Sequence, residues 1–205
     1  MAASRYTDNV FVNCPFDDAY QSIFRAIVFA VFDCGFVARC ALEIDDSSQV
    51  RIDKIARIIA ESKFGIHDIS RTELDGKTGL PRFNMPLELG MFLGAKRFGR
   101  DRQRTKACLI LDMEPYRYQA FISDIAGQDI RPHGNEPGEA IKLVRNWLRD
   151  SSKRKTIPGG KEISRRYELF RKQLLEMCGE LKIEEDELTF NDYTNLVSEW
   201  LSLVG

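Results

Sequence analysis

The stretch Asn9–Gly35, "NVFVNCPFDDAYQSIFRAIVFAVFDCG", decides the fold. Its first five residues are short, apolar and β-branched or aromatic at the centre, the composition of a buried strand. Pro15 stops that strand, and Asp17 or Asp18 stands where it can cap a helix. Tyr20, Ile23, Phe24, Ile27, Val28, Val31 and Phe32 then recur at helical spacing. That spacing predicts a strongly amphipathic helix, closed by Gly35.

The alternation continues to about Asp150. "FVARCALE" reads as a second strand, and Ile52, Ile55, Ala56 and Ile59 mark a second helix in "RIDKIARIIAES". "KFGIHDIS" is a third strand ending at Asp68 and Ser70. A polar loop, "RTELDGKTGLPRFN", leads to a helix expected to carry Glu88 in its first turn. Leu87, Met91, Gly94, Ala95 and Phe98 share one face of it, and Gly90 and Gly94 are expected to let it approach the sheet. "KACLILD" is the fourth strand, "YRYQAFISDIAG" a helix, "QDIRPHG" a short fifth strand and "EPGEAIKLVRNWLRD" another helix. Apolar strands separated by helices pair in parallel with both faces covered. The expected fold is therefore α/β, a doubly wound, flavodoxin-like open parallel sheet of about five strands over residues 1–150. "SSKRKTIPGGK" predicts a linker or mobile loop over 151–160. A C-terminal helical extension is expected over 161–205, with apolar stripes that include Tyr167, Phe170 and Leu174, then Tyr193, Val197 and Trp200. Two helices bury too little to stand alone, so they are expected to dock on the main domain or on a second subunit.

Bulk composition removes several function classes. The chain has 205 residues, a formal net charge of -1 and a hydrophobic fraction of 43%. Such a balance favours neither wholesale nucleic-acid nor membrane binding. No apolar run approaches the roughly 18 residues of a membrane span, and "MAASRYTDNVFVN" lacks the basic start and apolar segment of a signal peptide. The five cysteines are odd in number and widely spaced, without a Cys-x-x-Cys pair. Neither a disulfide framework nor a zinc site is expected, and a reducing cytoplasm is the simplest location. His67 and His133, the only histidines, are too few for a His-rich metal centre, and no metal or cofactor is expected. The basic run "KRFGRDRQRTK" fits a phosphate-rich partner or a solvated loop, and the loop is the simpler reading. Trp147 and Trp200 read as packing residues, Cys14 as a small core residue and His67 as a hydrogen-bonded core histidine.

In an open parallel sheet, ligands bind outside the carboxyl ends of the strands. That rule selects the loops "NCPFDD", "EIDDSS", "HDISRTELDGKTGLPRFN" and "DMEPYRY". Glu88 belongs at the edge of this crevice, and two readings of it stand. A glutamate in a helix's first turn complements the macrodipole with no further role. A carboxylate at the rim can also support a sugar carbon that gains positive charge as a glycosidic bond breaks, while neighbouring carboxylates hold ribose hydroxyls.

The pattern Asn84-x-x-x-Glu88-Leu89-Gly90 resembles the signature of the nucleoside 2-deoxyribosyltransferase-like superfamily, a neighbour of the Toll/interleukin-receptor-like (TIR-like) domains. "VFVNCPFDDAY" and "GIHDIS" resemble the same group, in order, across residues 9 to 112. Arg82 and Phe83 depart from the aspartate usual in the transferases. Met85 and Pro86 depart from the Ser, Cys or Trp usual in the receptor-like domains. The resemblance implies that Glu88 is a catalytic carboxylate and that Asp68 faces the base or ribose. It further implies that Asn84 positions the glutamate's loop and that Asp17, Phe16 and Asn13 line the pocket. The implied activity is hydrolysis of an N-glycosidic bond in NAD or a related nucleotide, with NAD as substrate rather than cofactor. A role in bacterial antiviral defence, a homo-oligomer and a regulatory partner protein come with it. Cationic nicotinamide leaves with little acid help, whereas a neutral nucleoside needs a protonated base, with Asp68 or His67 as donor. Two alternatives stay open: a salvage-type deoxyribosyltransferase or N-ribohydrolase, and a non-catalytic nucleotide-sensing or scaffold domain.

Overall fold

In a computed structural model, which describes residues 4–72, 74, 76 and 79–204, β1 (Asn9–Asn13) is buried at all five positions. It pairs in parallel with β2 (Val37–Arg39) on one side and β3 (Phe64–Asp68) on the other. β4 (Ala107–Asp112) and β5 (Ile130–Pro132) continue the sheet, also in parallel, and the strand order is β2-β1-β3-β4-β5. This is the flavodoxin-like order, whose reversal falls between β1 and β3.

Alternation along each strand sorts the core into layers. Val10, Val12, Ile66, Leu109 and Leu111 face α1 (Gln21–Asp33) and α4 (Pro137–Ser152). Phe11 faces α2 (Arg51–Glu61) and Phe92 of α3 (Asn84–Phe98), and Ile110 packs with Leu89 of α3. Gly35, at φ 78°, takes the left-handed conformation that ends α1, where Phe36 N–H returns to the Val31 carbonyl.

The first helix differs from its expected amphipathic form. Every residue from Ala26 to Val31 is buried, because α5 (Gly160–Leu181) and α6 (Phe190–Val204) cover the side turned away from the sheet. Phe29 meets the rings of Tyr167 and Phe170, each at 5.3 Å, and Trp200 at 6.0 Å. A helix that is apolar all round is a helix buried all round. The extension is tied down by polar contacts as well: Tyr193 Oη donates to the Arg25 carbonyl at 3.0 Å, and Arg166 pairs with Asp33 at 3.2 Å.

Three smaller expectations change. "YRYQAFISDIAG" forms two short 3-10 helices, Arg117–Ala120 and Ser123–Ile125, rather than one α-helix. On α2 the buried stripe is Ile55, Ile58 and Ile59, with Ile52 exposed. In the basic run most side chains face solvent, but Lys106 is buried. Its ammonium bonds the Ile59 and Ser62 carbonyls at the end of α2, where a cation meets the negative pole of the helix.

The glycines of α3 do not do what their spacing suggests. A Cβ at Gly90 or Gly94 would meet nothing within 4 Å. The close approach is made instead from the strand: a Cβ at Gly65 would lie 2.8 Å from the Phe92 ring and 2.7 Å from His67 Nε2. Gly65→Ala is therefore expected to cost roughly 1–3 kcal/mol through overpacking. Gly90→Ala is expected to stabilise by roughly 0.5–1 kcal/mol through helix propensity. Urea denaturation midpoints of the two variants check both signs.

Candidate functional site

Beyond the end of β1, between the starts of α2 and α3, the chain forms a cleft of about 130 Å³. Asn13, Cys14, Phe16, Arg51, Arg82, Asn84, Met85 and Glu88 line it. It lies at the reversal of strand order, where this architecture leaves a crevice.

Asn13 joins the two walls. As the last residue of β1 it sits opposite His67 of β3. Its Nδ2 donates to the Met85 carbonyl at 2.9 Å and to His67 Nδ1 at 3.1 Å. A carbonyl can only accept, so the amide nitrogen is the group facing both partners. His67 Nδ1 is then an acceptor and its proton resides on Nε2. That atom has no hydrogen-bond partner among the described residues and lies against Phe92, ring centroids 4.9 Å apart. Burial first, then the charge of Lys106, press the His67 pKa down to about 3. The imidazole is neutral at physiological pH and is no proton donor to the cleft.

Glu88 is not in the first turn of its helix. α3 begins at Asn84, with Phe83 as the preceding residue and no acidic residue in its first turn. Pro86 occupies that turn, where a missing N–H costs nothing. Glu88 comes one residue after the turn closes through the Leu87 N–H to Phe83 carbonyl bond, 3.0 Å. Capping the helix start is thus not its role. The residue is only 7% exposed, and among the described residues its carboxylate makes no hydrogen bond or ion pair. Burial raises its pKa to about 7, and the charge of Arg51 offsets this only in part. Asn84, the first residue of α3, is exposed at the mouth.

Asp68 does not line the cleft. It is fully buried and committed to its own network. It accepts from Tyr20 Oη at 2.6 Å and from the Ser70 N–H at 2.8 Å, and pairs with His133 Nε2 at 2.9 Å. Burial alone would raise its pKa, but the bonds from His133, Ser70 and Tyr20 outweigh it and the carboxyl is lowered. Ser70, His133 and Asp68 have the composition of a nucleophilic triad but not its wiring. His133 Nδ1 accepts from the Asn135 N–H at 3.0 Å, so its proton is on Nε2. Nε2 faces both Asp68 and Ser70 Oγ, the latter at 3.0 Å. A histidine that donates to the serine cannot take its proton.

Asp17 also points elsewhere. It pairs with Arg71 at 2.8 Å and accepts from the Tyr20 N–H at 3.2 Å. It lines a second hollow, beyond Phe16, whose ring is part of the wall of both. Cys14 borders the cleft as a buried thiol, raised well above its ordinary pKa by burial and by the charges of Asp68, Cys40 and Glu88. It is held far from the thiolate form a nucleophile needs. The polar loop expected over 71–84 lies partly outside the described residues. Its start is clamped by Arg117, which bonds Asp112, Thr72 and the Ile69 and Ser70 carbonyls.

Arg51 and Arg82 carry the electrostatics that sequence reading missed. Both stand at the inner ends of crevice loops, Arg51 opening α2 and Arg82 just before α3. The rule that selected the loops could have selected them too. His133 had no such signal, because it comes directly after a three-residue strand in a polar segment.

Fold and site together define the class: a flavodoxin-like α/β protein with a buried carboxyl, unpaired among the described residues, in a cleft beyond the end of β1. No protein-family model matches this chain, and no curated protein sequence matches it. Among the described residues no helix is long and apolar enough to cross a membrane.

The shift at Glu88 has a consequence for stability. Between pH 4.5, its ordinary pKa, and about 7, the unfolded chain has lost the proton that the folded protein still holds. Stability therefore falls as pH rises through this window, by about 3 kcal/mol in all. Glu88→Gln cannot ionise. It is expected to be more stable than the wild type by up to about 3 kcal/mol at about pH 8, and equal to it at about pH 4. Urea denaturation at the two pH values measures the difference.

Proposed function

We propose that this protein hydrolyses the N-glycosidic bond of NAD or a related nucleotide, with Glu88 facing the sugar carbon. The observation that carries the reading is the state of Glu88: 7% exposed, without a partner among the described residues, and raised to about 7. A carboxyl held this way weakens the fold above its ordinary pKa and fills no capping role. Unpaired buried acids in clefts are where chemistry is found. A cation entering the cleft favours ionisation of Glu88, so charge on the ligand and charge on the enzyme rise together.

The cationic ribosyl–nicotinamide linkage supplies that charge. Its C–N bond breaks with the electron pair passing to the ring nitrogen, and the base leaves neutral with no proton added. Positive charge moves to the sugar carbon, where ionised Glu88 stabilises it in a site with little water. Water then adds to that carbon and gives its proton to the carboxylate and on to solvent. Arg51 and Arg82 hold a phosphate at the rim as fixed, bidentate cations. Neutral His67 and the bonded Asp68 offer no acid to a neutral leaving base, which favours a substrate that needs none.

One observation favours the salvage-type alternative. A carboxyl near pKa 7 is half protonated at neutrality, and Glu88 itself could protonate the base of a neutral nucleoside. The two readings have opposite pH profiles. The first carries with it a cytoplasmic, homo-oligomeric enzyme under a partner's control. The five cysteines are free thiols, in keeping with a reducing compartment. The antiviral role is carried by the resemblance alone.

The test is to incubate the protein with NAD, deoxynucleosides and nucleoside monophosphates and to follow released base by chromatography. Nicotinamide release is expected, reduced about 10²–10⁴-fold in Glu88→Gln. Its kcat/KM is expected to rise about tenfold per pH unit up to about 7 and to level above, as the carboxylate forms. Release that falls with pH through that point and uses neutral nucleosides selects the alternative. Equal release by wild type and Glu88→Gln removes the carboxylate from both.

A further inference from the structure

We infer that the substrate has two halves, and that its second nucleoside sits in the hollow across Phe16 from Glu88, walled in part by the start of α6. The identity of the first half rests on the proposed function. The second site rests on geometry of its own.

Size is the first argument. The Glu88 cleft, at about 130 Å³, is well below the roughly 300–1,000 Å³ of pockets that enclose a whole small ligand. It has room for the reacting ring and little else. A further hollow of about 190 Å³ begins at the other side of Phe16. Phe16 is 38% exposed and meets Phe24 edge-on at 5.3 Å. It therefore borders both spaces, and a ligand lying across it touches each.

The chemistry of the lining is the second argument. Phe24, Leu42 and Phe190 give the hollow an apolar side, with the Phe24 and Phe190 rings stacked 6.0 Å apart. Asp18, Gln21 and Thr189 give it a polar side. Among the described residues neither the Asp18 carboxylate nor the Gln21 amide has a side-chain partner. A flat heteroaromatic base with an exocyclic amino group matches this pairing: its face lies on apolar carbon and its edge donates to the carboxylate.

Charge placement is the third. Arg51 and Arg82 line the Glu88 cleft and not the hollow, whereas Arg25, which does border the hollow, is taken by Glu185. Among the described residues, cationic groups without an ion pair thus lie on the reacting side. A dinucleotide, with a base at each end and phosphate beside the reacting half, has that order of groups. The C-terminal extension gains a task, because Thr189, Phe190 and Tyr193 belong to the segment that opens α6 and form the far wall.

The experiment has two arms. Calorimetry measures binding of adenosine monophosphate, which carries a base and a phosphate but no scissile nicotinamide bond. Kinetics compares KM for NAD with KM for nicotinamide mononucleotide, which has the same scissile bond and lacks the second nucleoside. Leu42, 41% exposed at the hollow's edge, is replaced in Leu42→Trp to fill the space. Asp18→Asn is the smaller change that keeps the result readable should the indole disturb the loop. Wild type is expected to prefer NAD in KM by about tenfold or more, and Leu42→Trp to bring that ratio towards unity and weaken adenosine monophosphate binding about tenfold. Asp18→Asn is expected to weaken the same binding several-fold. Equal KM values for the two substrates in wild type, or a preference intact in Leu42→Trp, overturns the second site and leaves the cleavage assignment standing. Adenosine monophosphate binding that Leu42→Trp abolishes, with neither substrate cleaved, keeps the second site and sinks the cleavage assignment.

Discussion

The side-chain amide of Asn13 is the constraint on which the site depends. One nitrogen holds the end of β1 to His67 of β3 and to the Met85 carbonyl in the first turn of α3. Those three points set where α3 starts, and one turn of helix then carries Glu88 to the cleft past the end of β1. The anchoring is made from inside the protein, with both bonds buried, so water does not compete for it. The Glu88 carboxyl is left unmatched by the same geometry. Arg51 is close enough to offset part of the desolvation but makes no ion pair with it.

A second buried network, around Asp68, does the opposite work. Tyr20, Ser70 and His133 come from the entrance to α1, the end of β3 and the segment after β5, and they converge on one carboxylate. Every oxygen of that carboxylate is engaged, so its charge serves the sheet's upper rim rather than a ligand. Two acids at the same rim thus diverge. Asp68 is lowered by the bonds it receives, and Glu88 is raised by burial that the charge of Arg51 offsets only in part. Environments that push neighbouring carboxyl groups apart in pKa mark the one that remains available for chemistry.

The C-terminal helices belong to the core rather than to an appendage. They cover the outer side of α1 through Phe29, Tyr167, Phe170 and Trp200, and they bring Phe190 beside Phe24 near the crevice. α1 is therefore sandwiched between the sheet and a second helical layer. That layer reaches the same rim of the molecule as the loop after β1, which is how a segment distant in sequence comes to border the space next to Glu88.

The sequence by itself determined the strand-and-helix alternation, and with it the parallel, doubly wound sheet, because a run such as "NVFVN" leading into helical spacing leaves few other arrangements. It also indicated the crevice, since position at a strand's carboxyl end is a property of order along the chain. It could not indicate which polar groups there would be spent on each other. Asp17, Asp68 and Glu88 look alike as letters, but Arg71, His133 and Tyr20 reach the first two from distant segments, and among the described residues no group bonds the third. The same holds for Gly65 and Gly90. Their spacing suggested that the helix glycines made room for the sheet, yet contact between layers depends on which atoms face each other. Only the tertiary structure decided these matters, because desolvation and hydrogen-bond satisfaction are set by neighbours in space, whereas periodicity reports only neighbours along the chain.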